Sequence, residues 1–164
     1  MVAKSDYAMS GGSATDVFSP RLDERGIPRG MRLTLANDGV WALGMRVALK
    51  DIVDGPSKTY LIGEKALDAS NDYENSDEAD DTGIVGNASR SFSVHSFVRY
   101  AGRPAYKDTF KSCVSCHDFG SAHPGGWNMS MADGSVRSFS YSMDIKLHRA
   151  LASIYGNETW AQPE

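Results

Sequence analysis

Hydrophobic and polar side chains alternate most regularly in two runs, residues 127–132 and 135–141, which are joined by Asp133-Gly134. Asp-Gly between two such runs is typical of a β-hairpin, because both central residues of a type I′ turn need positive φ angles. The pattern therefore predicts an antiparallel hairpin with a two-residue loop.

The two-residue loop also predicts the register of this hairpin. It pairs Met131 with Val136 and Met129 with Ser138, and successive side chains along each strand point to opposite faces. One face, formed by Trp127, Met129, Met131 and Val136, is expected to be buried. The opposite face is expected to be polar near the turn and to carry Asn128, Ser130, Ser135, Arg137, Phe139 and Tyr141.

Shorter runs predict further strands at Met31–Ala36, Val40–Leu43, Thr59–Ile62 and Ser91–Tyr100. The run at Thr59–Ile62 is apolar and flanked by turns, which favours a central place in a sheet. One helical turn is expected over Asp51–Asp54. Residues 1–30 are expected to be mostly loop, and residues 101–118 form a second long loop that holds both cysteines.

One helix is predicted near residues 144–155. Asp144 or Ser142 can cap its first turn, Leu147, Leu151 and Ile154 recur at helical spacing, and Gly156 is expected to end it. Strands outnumber helices, so the pattern predicts an α+β fold: an antiparallel sheet with a short C-terminal helix and long loops.

Length and composition favour a single domain over residues 1–164. The net charge of −4 argues against sequence-independent binding of nucleic acid, for which a basic surface is expected. No apolar run reaches the roughly 18–20 residues that span a bilayer, and no secretory signal peptide is recognisable.

The spacing of His123 and Asp133-Gly134, with nine residues between them, resembles the signature of the bacterial prepilin-type, processing-associated H-x9-DG proteins. The surrounding stretches, residues 120–126 and 133–137, are similar to the same family. Further resemblances lie at Asp54–Thr59, at Ile62–Lys65 and at Ser5–Ala8. The resemblance thus covers most of the chain, in order.

The resemblance implies an exported protein, located in the periplasm, on the cell surface or outside the cell. We expect a structural role and no enzymatic activity. Such proteins begin with a leader and an apolar helix, so we expect this chain to be the soluble head of a pilin- or pseudopilin-like subunit without its N-terminal helix. A sheet that packs on that helix would then expose an apolar face. The implied partners are further copies or other pilin-like subunits, with membrane contact only through the helix.

Cys113-Val114-Ser115-Cys116-His117 matches the C-x-x-C-H motif of c-type haem attachment. An electron-transfer protein with His117 as an axial ligand is therefore the alternative function. Zinc is a second possibility, with Cys113, Cys116 and either His117 or His123 as ligands. The simplest interpretation is a disulfide or two nearby thiols in an exported protein, and we expect no covalent haem.

The acidic stretch at residues 68–81 predicts a surface loop. Asp72, Glu74 and Asp77 give it oxygen ligands for calcium, so an extracellular calcium- or solute-binding module is a further alternative. The stretch is not an EF-hand, because Asp77 stands where that loop requires glycine.

His123 and Asp133 also suggest acid–base catalysis, but a structural role is favoured for both residues. Asp133 is explained by the turn that it forms, and His123 is expected to hydrogen-bond the loop before the first hairpin strand. Ser121 and Ser135 lack the G-x-S-x-G environment of a hydrolase nucleophile.

Overall fold

A computed structural model describes residues 5–14, 38–41, 46–69, 97–109 and 117–156. The strands in these residues are β1 (Tyr7–Ser10), β2 (Tyr60–Glu64), β3 (Val98–Arg99), β4 (Tyr106–Lys107), β5 (Gly120–Ser121), β6 (Gly126–Met131) and β7 (Val136–Ser140). Helix α1 is Ile145–Ala152, and short 3-10 turns occupy Leu49–Asp51 and Pro56–Lys58. The predicted strand at Met31–Ala36 lies outside the described residues.

The main sheet has five strands in the order β3-β1-β2-β6-β7. The predicted α+β class with a short C-terminal helix is confirmed, and β2 occupies the predicted central position. The sheet is mixed rather than purely antiparallel, because β1 and β3 run parallel. More than 80 residues separate these two strands in the chain, and this is long enough for the crossover connection that parallel pairing requires.

Smaller differences from the sequence prediction concern the loops. Residues 101–118 are not entirely loop, because β4 lies within them and pairs in parallel with β5. The predicted helical turn at Asp51–Asp54 is a 3-10 turn that starts earlier, at Leu49–Asp51. Of the predicted strand Ser91–Tyr100, only Val98–Arg99 is a strand among the described residues.

The hairpin predicted around Asp133-Gly134 is present, but its loop has three residues instead of two. Met131 N donates to Ser135 O at 2.8 Å, and Gly134 N donates to Met131 O at 2.9 Å. Gly134 has a φ of +84°. A β-turn followed by a left-handed glycine is the usual three-residue hairpin loop with a bulge.

The longer loop shifts the register by one residue and therefore reverses the faces of β7. Trp127 pairs with Phe139 and Met129 with Arg137, whereas Val136 pairs with Ser130. The prediction that Val136 is buried was wrong, since its side chain is 70% exposed. Phe139 and Tyr141, which were expected on the opposite face, pack against the core instead.

The core lies between one face of the main sheet and α1. Trp127, Met129 and Met131 are buried as predicted, and their partners in the core include Tyr60, Phe119, Leu151 and Ala152. Gly63 is required at the sheet centre, because a Cβ atom there would overlap Met129 Sδ. Rings of Tyr60, Phe119 and Trp127 surround His148 in tilted or edge-on contacts.

Helix α1 begins as the sequence predicts and ends earlier. Asp144 Oδ1 accepts hydrogen bonds from Lys146 N and Leu147 N, which satisfies amides of the first turn. The helix ends at Ala152 with Ser153 as its C-cap, before the predicted Gly156. Its buried face consists of His148, Leu151 and Ala152.

We predict that Leu151→Ala lowers the free energy of unfolding by about 2–4 kcal/mol, because it removes buried methyl groups and leaves a cavity. Urea denaturation measures this change, and Lys146→Ala on the exposed face of α1 serves as the control. Equal losses in both variants would contradict the docking of α1 through Leu151.

We also predict that His148 makes stability fall at mildly acidic pH. Burial, reinforced by the charge of Arg149, lowers the pKa of His148 from 6.5 to about 4. Between these values the unfolded chain binds a proton that the folded chain does not, so the stability present above pH 6.5 is lost as the pH falls towards 4. The full loss is on the order of 3 kcal/mol.

Denaturant unfolding between pH 7.5 and 4.5 tests this prediction through the slope of stability against pH. His148→Leu removes the titrating group and should flatten the slope in that window. An unchanged slope in the variant would assign the pH dependence to other groups.

Candidate functional site

The hairpin β6–β7 carries the residues that the sequence singled out, but it separates them. His123 lies before β6, whereas Asp133 and Gly134 form the turn after it. A six-residue strand spans roughly 20 Å. His123 and Asp133 are therefore anchored at opposite ends of the hairpin, and they form no acid–base pair with each other.

At the end of the hairpin where β6 begins, His123 lies beside a nearly buried carboxylate. Glu64 is 8% exposed, and its Oε1 lies 3.3 Å from His123 Nε2. Asn128 donates to the same carboxylate through its backbone N at 2.8 Å and its Nδ2 at 3.2 Å. We call these three residues the Glu64 cluster; it connects the loop before β6 to the end of β2.

Tyr141 holds the same loop from the other side. Its single hydroxyl hydrogen is shared between Ser121 O at 2.9 Å and His123 O at 3.1 Å. Burial, with the nearby carboxylates of Asp108 and Glu64, raises the pKa of Tyr141 to about 12. The phenol therefore remains protonated at neutral pH and keeps both hydrogen bonds.

At the other end, Asp133 organises the hairpin turn. Its Oδ1 accepts hydrogen bonds from Ser135 Oγ at 2.7 Å and from Ser135 N at 2.9 Å, and these bonds lower the pKa of Asp133. Asp133 N also donates to Pro56 O, and Ala132 N donates to Thr59 O. The turn at residues 54–59, which the sequence singled out independently, is thus in direct contact with the Asp133-Gly134 turn.

A shallow depression of about 360 Å³ lies beside the Glu64 cluster. Its lining includes His123, Asn128 and Ser138, and Ser138 Oγ donates to Asn128 Oδ1 at 2.6 Å. The depression is open to solvent and offers few groups that converge on one point.

The face of the main sheet opposite the core is the larger exposed feature. Alternation and pairing place Tyr7, Met9, Ile62, Ser130, Val136 and Ser138 on it, and we call these residues the open face. Tyr7, Ile62 and Val136 are 56%, 39% and 70% exposed. Large apolar side chains thus spread across β1, β2 and β7 without a covering element among the described residues.

The metal and haem predictions fall mainly outside the described residues. Cys113 and Cys116 are among the residues not described, as are Asp72, Glu74 and Asp77. His117 is described and partly buried, and its backbone O accepts a hydrogen bond from Tyr100 N. Within the described ranges, no group of three or more His, Cys, Asp or Glu residues is arranged to hold a metal ion.

Sequence reasoning missed three residues that organise this region: Glu64, Tyr141 and His148. Glu64 is a carboxylate at the end of an apolar strand, which signals a partner. His148 lies one turn before Leu151 on the apolar side of α1, and this spacing indicates burial. Tyr141 was assigned to the wrong face because the loop length was wrong.

We predict that Glu64→Ala lowers the free energy of unfolding by about 1–3 kcal/mol, because the amide groups of Asn128 lose their acceptor. Hydrogen exchange of residues 122–128 should accelerate as well. Asp6→Ala removes an exposed carboxylate near the same strand end and is the control. If both variants lost equal stability, the Glu64 cluster would not hold the loop.

Comparison with known proteins gives one result. A family model described as "Protein of unknown function (DUF1559)" matches residues 4–146, which is most of the chain. No curated protein and no solved structure matches. None of the helices in the described ranges has the length and apolar character to cross a membrane.

Proposed function

Since the chain belongs to the family of proteins of unknown function DUF1559, we propose a function from its own geometry: it is the head of an exported, pilin-like assembly subunit with a structural role. The single observation that carries this proposal is the open face. One side of the main sheet is covered by α1, and the other presents large apolar side chains to solvent.

The arrangement of the open face suits a docked helix. Met9 and Ile62 are opposite each other on β1 and β2, and Val136 lies two strands away from Ile62, beside Ser130. Exposed apolar side chains that form a patch of this kind mark an interaction site. Helices pack on sheets through an aliphatic stripe, so the proposed occupant is the apolar helix of a pilin-like subunit.

The geometry of the signature residues is consistent with a non-catalytic role. His123 and Asp133 stabilise opposite ends of the hairpin. His123 contacts Glu64 and Tyr141, and Asp133 accepts a hydrogen bond from Ser135. These contacts keep β6 and β7 in place behind the open face. Export, as the resemblance to H-x9-DG proteins implies, is part of the same proposal.

The proposal predicts that an amphipathic helical peptide with an aliphatic stripe binds the open face. Nuclear magnetic resonance should detect shifts of the Ile62 and Val136 methyl groups, and binding should raise the melting temperature by mass action. Ile62→Asp places a charge in the centre of the open face and should weaken binding by at least about tenfold.

The control is Val53→Asp, because Val53 is 62% exposed and lies outside the main sheet. It should bind the peptide like the unmodified protein. Equal binding by both variants, or peptide-induced shifts confined to other surfaces, would refute the proposed role of the open face.

A further inference from the structure

Within the described part of the chain, strand β7 is an edge of the main sheet, and no other strand pairs with its outer side. Its last position in the strand order leaves β7 with β6 as its single neighbour among the strands that the structure describes. Natural edge strands are usually blunted by proline, by a bulge or by outward charges. β7, with the sequence Val-Arg-Ser-Phe-Ser, contains one charged residue, Arg137, and no proline, and its ladder with β6 is regular from Gly126 to Ser130.

The hydrogen-bonding pattern identifies which amides of β7 point outward. Met131 and Ser135 are joined by a ladder hydrogen bond, and such pairs alternate along an antiparallel ladder. Arg137 and Phe139 therefore bond to β6, whereas the amides of Val136, Ser138 and Ser140 point away from it. The hydrogen bonds of β6 are consistent with this assignment, because Asn128 N donates to Glu64 and therefore points away from β7.

We propose that β7 pairs antiparallel with β7 of a second copy, centred on Ser138, so that the two main sheets join into one. The inference rests on the proposed assembly function and deepens it by naming the partner and the edge. In this register the Ser138 amide and carbonyl exchange hydrogen bonds with Ser138 of the second copy. The Ser140 amide donates to Val136 O of the second copy, whereas Ser140 O already accepts a hydrogen bond from Met143 N of its own chain at 2.9 Å.

The charge of Arg137 and the length of β7 favour this register over the two adjacent registers. Centring on Ser138 places Arg137 opposite Phe139 of the second copy, where the guanidinium can contact the ring. Centring on Arg137 would oppose two guanidinium groups, which is destabilising. Centring on Phe139 would pair Val136 with Ser142, which lies beyond the end of β7.

The pairing is expected to be weak for isolated heads. Two short edge strands bury less than the roughly 1,200 Å² of a standard stable interface. Subunits held side by side in an assembly have a high effective concentration, which strengthens such a contact without new interactions. Dimers of the isolated protein should therefore form only at high concentration.

Sedimentation at increasing concentration, up to about the millimolar range of effective concentrations, tests the proposal with Ser138→Pro. Proline removes the outward amide hydrogen but no ladder bond to β6, and edge strands tolerate it. The dimer dissociation constant should rise at least about tenfold. Ser138→Ala, which keeps the amide and loses only the hydroxyl, should dimerise normally. A monomeric unmodified protein, or equal dimerisation of all three proteins, would overturn the proposal.

Crosslinking provides a second measurement that does not depend on the folding of the proline variant. In a Cys113→Ser/Cys116→Ser background, Ser138→Cys should form a disulfide dimer on oxidation, because facing Cα atoms in a hydrogen-bonded pair lie about 5.5 Å apart. Val53→Cys, at a position that is also exposed but lies away from β7, should crosslink much more slowly. Equal rates would overturn the proposal.

The two proposals fail separately. Ile62 lies on the central strand β2, so Ile62→Asp should lose the helical peptide and keep the dimer. A protein that binds the peptide but never dimerises would disprove the pairing of β7 and leave the assembly function standing.

Discussion

The register between β6 and β7 is the constraint on which the rest of the described structure depends. The left-handed Gly134 closes a three-residue loop, and that loop sets Phe139 opposite Trp127. With Phe139 and Tyr141 on the core face, a cluster of aromatic rings forms around His148 and receives α1. A slip of one residue would bury Val136 and the serines of β7 and would expose both rings.

The same register determines what the protein presents to solvent. Val136 and Ser138 lie on the open face, and their amides point away from β6, towards the outer side of β7. Tyr141 reaches the loop before β6 only because it lies on the core side, where its hydroxyl holds the carbonyls of Ser121 and His123. The aromatic core, the position of Tyr141 and the exposed side chains of β7 therefore all follow from the length of one turn.

Features governed by local interactions were predictable from the sequence. The hairpin position follows from Asp133-Gly134, the start of α1 from Asp144, and the central strand from its apolar run. The loop length was not predictable, because Asp-Gly fits both two- and three-residue loops. The alternation in β7 held a clue, since burying Phe139 and Tyr141 removes more apolar area from water than burying Val136.

Features that depend on distant contacts were not predictable. The parallel pairing of β1 with β3 joins residues at opposite ends of a long connection, and no local pattern encodes it. The same applies to Glu64, whose role appears only when β6 brings Asn128 and His123 to it. Burial of His148 needs the rings of Tyr60, Phe119 and Trp127, which come from three separate segments.

The arrangement of the signature residues gives physical meaning to their spacing in the sequence. Nine residues between His123 and Asp133 are enough for one strand and the bends at its two ends. His123 meets the end of β2 through Glu64, and the Asp133 turn meets the start of β2 through Pro56 and Thr59. The spacing therefore gives β6 a length similar to that of β2. Both ends of β6 can then contact the segments that flank the central strand. A hairpin held in this way keeps the open face and the outer edge of β7 in a fixed position, which the proposed assembly function requires.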